Sequence, residues 1–322
     1  MNTNNDYDIL VIGAGHAGCE AALAAARMGF NAAIFTINLD TIGQMSCNPA
    51  VGGLAKSHLV KEIDALGGEM AKITDKAGIQ FKTLNKRKGP AVWATRVQAD
   101  RALYRKYMRK ALESQTKLDI RQENVEEILI NKNRVAGIRT SERIYRSKVV
   151  IIATGTFLNG LIHIGFEHFP AGRIDEPPSI NLSKSLHESG FKIGRLKTGT
   201  PPRLGNKGID FSVMEIQTGD VPPQPMSLFT KEITNPQLPC YMTYTNERTH
   251  KIIFDNLKYS PLYSGVIKGV GPATAPQLKI KSSGSGKNLD IRSSSNLREL
   301  MRMNIMLTAF QRACRATLRH KW

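Results

Sequence analysis

The chain has 322 residues, with 45 Lys/Arg against 27 Asp/Glu for a formal net charge of +18, and it is 41% hydrophobic and 22% charged. That balance excludes a disordered chain and a small disulfide-held scaffold, and the length suits about two domains. The longest apolar runs, such as Val149 to Ala153, are too short to span a bilayer, and Met1 to Asp8 lacks the basic start and apolar stretch of a secretory leader. A cytoplasmic protein without a membrane segment is expected.

Asp8 to Ile12 reads as a short strand leading into Gly13-Ala14-Gly15-His16-Ala17-Gly18, Glu20 to Met28 as an Ala-rich helix, and Asn31 to Thr36 as a second strand. Strand, glycine turn, helix and strand within about 30 residues open a doubly wound α/β sheet. In such a turn Gly13 permits the bend, Gly15 lets backbone amides approach a pyrophosphate, and Gly18 lets the helix pack close to the strand. The alternative is a merely tight strand-to-helix turn. An acidic residue usually closes the second strand to bind ribose hydroxyls, yet Thr36 and Asn38 stand there and Asp40 lies slightly beyond.

Residues 42 to 56 read as a glycine-rich loop containing Cys47, a soft nucleophile if it lies near an electron-poor ring, or otherwise a small inert thiol. The spacing predicts helices over Ser57 to Met70 and Ala99 to Leu112, and a hairpin from Val125 to Ile130 and Val135 to Thr140 around Asn131 to Arg134. Val149 to Ala153 is an apolar strand running into Thr154-Gly155. Pro170 to Pro239 is rich in Pro and Gly and reads as a loop-rich second domain. The four cysteines (Cys19, Cys47, Cys240, Cys314) have no paired spacing and read as reduced thiols, with no metal site.

The hairpin followed by Ala153-Thr154-Gly155 resembles the return of two-dinucleotide flavoproteins to the FAD sheet, which shifts the cofactor expectation from NAD toward FAD. More specifically, the chain resembles the MnmG (GidA) family of tRNA uridine 5-carboxymethylaminomethyl modification enzymes. The resemblance rests on GAGHAG at 13–18, DTIGQMSCNPAVGGLAK at 40–56, HLVKEIDALGG at 58–68 and KGPAVWATRVQADR at 88–101. It continues through GTFLNGLIHIG at 155–165, GRLKTGTPPR at 194–203, PCYMTYTNERTH at 239–250 and SPLYSGVIKGVGP at 260–272.

This resemblance covers less than half of a full-length family member and implies the first part of a glutathione-reductase-type FAD domain at about 1–160, its closing C-terminal elements missing, and part of an inserted α+β domain over 161–272. The chain alone is therefore expected to be inactive and to retain FAD weakly. The resemblance also implies a homodimer acting with the GTPase MnmE on the tRNA wobble uridine, using methylenetetrahydrofolate and NADH. By the same carry-over, Gly13, Ala14, Gly15, His16, Ala17, Gly18, Val125 and Ser179 are FAD-contacting positions and Cys47 is a catalytic thiol. Arg96, Arg101, Arg105, Lys197 and Arg203 are candidates for tRNA phosphate or folate contacts. The alternative functions for the chain are a non-catalytic basic tRNA-binding remnant and an unrelated FAD or NAD oxidoreductase.

The resemblance stops after Pro272. There the family continues Arg-Tyr-Cys-Pro-Ser-Ile-Glu-Asp-Lys, its NAD-binding signature, whereas this chain reads Ala273 to Lys281. CGC TAC TGC CCC TCA ATT GAA GAT AAA G encodes the family's residues; begun one base later it encodes Ala-Thr-Ala-Pro-Gln-Leu-Lys-Ile-Lys, which is this chain. Residues 273–322 are therefore expected to be a frameshifted, disordered tail, and Cys314 and Trp322 to have no role. That segment holds ten Lys/Arg against Asp290 and Glu299, a net +8, leaving +10 for the rest.

Overall fold

The structure is a computed structural model describing residues 5–46, 48–197, 209–261 and 263–267, together with three short strands nearer the C-terminus. In chain order the first elements are β1 (Ile9–Ile12), α1 (His16–Arg27), β2 (Ala32–Thr36), β3 (Ala50–Gly52), α2 (Lys56–Ala65), α3 (Met70–Ala77), β4 (Gly78–Leu84), β5 (Ala94–Ala99) and α4 (Arg101–Glu113). They continue with β6 (Leu118–Gln122), β7 (Val125–Asn131), β8 (Arg134–Thr140), β9 (Ile144–Arg146), β10 (Val149–Ile152), β11 (Leu161–Ile164), β12 (Glu167–Pro170) and α5 (Ile180–Glu188).

The central sheet is fully parallel with order β10-β1-β2-β6. Its side chains alternate between two cores, as the period of two along a strand requires. Val11 and Ile34 pack with Cys19, Ala22 and Leu23 of α1 and with Tyr104, Met108 and Leu112 of α4. On the opposite face Leu10, Ile12, Ala33 and Phe35 pack against Val125, Ile128, Ile138 and Tyr145 of the antiparallel β7-β8-β9 sheet and Leu182 and Leu186 of α5. Helices, parallel sheet and antiparallel sheet thus form three layers, the Rossmann-like dinucleotide-binding architecture expected from the opening turn.

Several predicted elements are altered in ways the local chemistry explains. The helix expected over Ser57 to Met70 breaks after Ala65, because Gly67 takes φ +93°. It restarts as α3, where the Glu20 carboxylate accepts the N–H groups of Glu69 and Met70. The helix expected from Ala99 starts at Arg101, since Asp100 accepts from the Ala102 and Leu103 N–H groups as its N-cap. The loop over 42–56 contains β3, the outer strand of a small antiparallel sheet ordered β3-β5-β4.

The chain divides into two compact units. The first comprises residues 1–162, 168–193 and 219–237, and the second 163–167, 194–218 and 238–322. The first unit therefore reaches well past the boundary drawn near residue 160. A clamp explains why 219–237 belongs to it. Asp75 accepts the N–H groups of Met226 and Ser227 at 2.8 and 2.9 Å, and the fully buried Asp64 accepts the Ser227 hydroxyl and the Leu228 N–H at 2.8 and 2.7 Å. The Asn235 amide adds bonds to the Asp75 and Gly78 carbonyls.

The second unit contains β13 (Glu215–Gln217), β14 (Cys240–Tyr244) and α6 (Glu247–Asp255), with Asn246 capping the helix at the Thr249 N–H. Beyond residue 272, where no order was expected, the described residues form β15 (Lys279–Ser282), β16 (Leu289–Arg292) and β17 (Arg302–Ile305). β17 pairs antiparallel with β14, and β15 with β16. The alternating sequences Lys-Ile-Lys-Ser and Leu-Asp-Ile-Arg suit short strands. Among the described residues no helix is long and apolar enough to cross a membrane, and no cluster of three His, Cys, Asp or Glu could hold a metal ion.

Candidate dinucleotide-binding site

The two glycine signals of the sequence meet at the carboxyl end of the parallel sheet. Gly13, at φ +101°, donates its N–H to the Phe35 carbonyl, and Ala153 donates to the Ile12 carbonyl. A Cβ on Gly13 would stand 2.4 Å from the Ala153 carbonyl oxygen, and one on Gly18 would stand 1.7 Å from the Gly13 carbonyl oxygen. Neither position tolerates a side chain. Gly15 is different, because a Cβ there would meet nothing within 4 Å.

Gly15 is the N-cap of α1, where no side chain caps the helix and no acidic residue stands in the first turn. The first N–H groups of a helix have no intrahelical acceptor and carry the positive end of its dipole. Open space beside Gly15, uncapped N–H groups and a closely packed Gly18 are what a pyrophosphate requires. These residues therefore fit the dinucleotide expected from the sequence. Ala14 is 6% exposed and its carbonyl accepts the Gly43 N–H at 2.9 Å, so the loop after β2 docks directly on the turn. Ala17 follows His16 in the first turn of α1.

His16 is held near neutral, because burial and, secondarily, the Arg173 guanidinium lower its pKa. Its ring meets Tyr104 edge-on with centroids 5.5 Å apart. Arg173 and its neighbours were not singled out in the sequence. Nε of Arg173 donates to the Ser46 hydroxyl at 3.0 Å, its guanidinium lies 4.9 Å from the Phe157 ring centroid, and Glu176 pairs with it at 3.3 Å. One side chain so joins the loop after β2 to the segment after Ala153-Thr154-Gly155. Proximity of this kind between distant segments leaves no local pattern.

Val125 opens β7 and is 4% exposed in the second core, while Ser179 is 5% exposed at the N-terminus of α5. Ser179 donates its N–H to the Phe157 carbonyl and accepts from the Asn159 N–H, both at 2.9 Å. It is thereby tied to the chain leaving the Ala-Thr-Gly turn. Asn38 caps the short turn Leu39–Thr41, and Asp40 pairs with Arg109 at 3.0 Å on the surface.

Arg96 lies on β5 opposite Lys82 and Gly52, Arg101 begins α4, and Arg105 is on its exposed side. These three share the first unit, whereas Lys197 belongs to the second. Cys47 and Arg203 lie outside the described residues. Cys19, by contrast, is buried against the turn: its thiol donates to the Ala14 carbonyl, and burial pushes its pKa up to about 12. It is a packing residue, not a nucleophile.

The family model for glucose inhibited division protein A matches residues 8–313. The chain belongs to this family. It is 62% identical over 282 residues to the tRNA uridine 5-carboxymethylaminomethyl modification enzyme MnmG of Thermodesulfovibrio yellowstonii, covering 87% of this chain and 45% of that relative. The enzyme of the same description from Geobacter sulfurreducens is 57% identical over the same shares. Among solved structures, Aquifex aeolicus GidA superposes with TM-score 0.79 at 51% identity, covering 84% of this chain and 46% of that one. The chain thus spans about half the length of the relatives it matches.

Proposed function

We propose that this chain supplies the FAD-binding cradle of an enzyme that modifies carbon 5 of the wobble uridine in tRNA. The observation that carries the reading is the Gly13-Gly15-Gly18 geometry, in a chain 62% identical over 87% of its length to an enzyme named for that modification. Bound FAD would supply the redox step in transferring a one-carbon unit. The protein's own part would be to hold it: Gly15, His16 and Ala17 would turn backbone N–H groups toward the pyrophosphate, and Val125 and Ser179 would also contact the cofactor. Cys47 would add as a thiolate to carbon 6 of uracil, which makes carbon 5 nucleophilic. Arg96, Arg101, Arg105, Lys197 and Arg203 would contact tRNA phosphates or folate, with methylenetetrahydrofolate as carbon donor, NADH as reductant, and a homodimer working with MnmE in the cytoplasm.

Residues 273–322 belong to the same proposal as an out-of-frame segment that contributes nothing to it, although the family match runs on to residue 313. The coding DNA past codon 272 decides that point, since the other frame must encode the family's continuation. For the cofactor, the purified chain is titrated with FAD and followed by flavin fluorescence. The expected result is saturable but weak binding at one FAD per chain. Absence of binding refutes the cradle, a yellow flavin retained at full stoichiometry through purification contradicts the weak retention, and salt-dependent tRNA binding without flavin favours the basic-remnant reading.

A further inference from the structure

Among the described residues, two buried side-chain oxygens have no hydrogen-bond donor: Gln44 Oε1 and Gln98 Oε1. Both flank one loop. Gln44 follows Gly43, which docks on the Ala14 carbonyl, and Gln98 lies opposite Ala50, the first residue of β3 at the loop's far end. Gln98 is only 8% exposed. A buried amide oxygen without a donor works against folding, and packing alone gives no reason to keep one there.

The surroundings of Gln98 narrow what it could receive. In the β3-β5-β4 sheet, Val51, Val97 and Phe81 point into the hydrophobic core, so the opposite face carries Ala50, Gln98 and Gln80 in one row and Gly52, Arg96 and Lys82 in the next. An amide row beside a cationic row suits a ligand that joins a polar ring to phosphate. A carboxamide presents an acceptor and a donor side by side, the complement of a cyclic imide, whose ring N–H is flanked by carbonyls. Uracil and the pyrimidine ring of a flavin share that edge.

We propose that Gln98 is a specificity-determining residue whose side-chain oxygen accepts the ring N3–H of a cyclic imide ligand. The assignment rests on the function proposed above for its choice of ligands, but the unpaired oxygen stands on geometry alone. Two measurements test it. The first uses the ligand-free chain: Gln98→Leu, which removes the unpaired oxygen at similar volume, should raise the melting temperature by ~2–4 °C. A lower melting temperature would show that the oxygen is already satisfied and would overturn the proposal.

The second measurement compares FAD with 3-methyl-FAD, and a stem-loop RNA bearing wobble uridine with the same RNA bearing 3-methyluridine. The wild-type chain should lose ~10-fold or more in affinity for whichever methylated probe blocks the edge that Gln98 reads, and Gln98→Ala should erase that discrimination. Discrimination confined to FAD assigns the flavin, and discrimination confined to RNA assigns the base. Binding without discrimination overturns the proposal alone. Binding of none of the four probes overturns it together with the function it rests on.

Discussion

The three glycines of the opening turn should separate folding from binding when each is changed to alanine. In Gly18→Ala the new methyl meets the Gly13 carbonyl oxygen at 1.7 Å and the carbonyl carbon at 2.9 Å, both backbone atoms that cannot rotate away. Helix α1 must retreat from β1, loosening Cys19, Ala22 and Leu23, each 0% exposed. Overpacking of this severity costs ~3 kcal/mol, and the better helix propensity of alanine returns ~1 kcal/mol. The net ~2 kcal/mol corresponds to a fall of ~4–8 °C for a unit of this size. Gly15→Ala differs, since Gly15 has φ −74° and its Cβ would meet nothing within 4 Å. It should lower the melting temperature by no more than ~3 °C, the loss of a glycine N-cap being ~1 kcal/mol or less. On the proposed reading its methyl enters the open space left for the pyrophosphate, so FAD binding should fall at least tenfold. Differential scanning calorimetry and flavin fluorescence titration, run on the same preparations, give both quantities. If Gly15→Ala binds FAD like the wild type, or melts as early as Gly18→Ala, the assignment of Gly15 to the ligand and Gly18 to packing is wrong.

Three other outcomes follow from the described contacts. Burial, reinforced by the charge of Asp64, raises the Asp75 pKa above its ordinary 3.8, against the lowering effect of the Met226 and Ser227 N–H groups. The folded state therefore binds this proton more tightly than the unfolded one. The stability it contributes is complete below 3.8 and is lost as pH rises through the raised value. Urea midpoints of wild type should fall relative to Asp75→Asn as pH climbs from 3.8; a gap that stays constant with pH would count against this. Replacing Arg173 by Gln should raise the His16 pKa, seen in the NMR titration of its ring protons, while the burial contribution persists; an unmoved titration would remove Arg173 from the turn's surroundings. Arg101→Ala and Arg105→Ala should each flatten the log–log salt dependence of tRNA binding by about one unit, with no change in flavin affinity. Equal slopes for wild type and both variants would return these arginines to the solvated surface.

The βαβ opening, the β7–β8 hairpin and the strand ending at Ala153-Thr154-Gly155 were legible in the sequence because each is a local pattern closed by its own glycine or turn. β4 and β5 were not. Their outward faces carry Gln80, Lys82, Arg96 and Gln98, which blur the alternation that Phe81 and Val97 alone would give. The break between α2 and α3 was missed because the apolar spacing runs on through Leu66, although Gly67-Gly68 marks it. At the site, the glycine turn was readable because its chemistry is backbone chemistry at fixed spacing. Arg173, Gln44 and Gln98 were not, since nothing near each of them in sequence announces what the fold sets beside it.

The clamp on Ser227 sets a practical limit on shortening this protein. A chain ending at residue 193 would keep all four strands of the parallel sheet but would take Met226, which is fully buried, and Ile233 out of the core on the α1 side. It would also lose every donor that Asp64 and the Asp75 carboxylate hold within 219–237, at ~1–3 kcal/mol for each buried group left unsatisfied. A boundary placed by strand count alone would thus yield an unstable fragment. A chain that runs on to residue 237 keeps these donors, together with Met226 and the Asn235 amide.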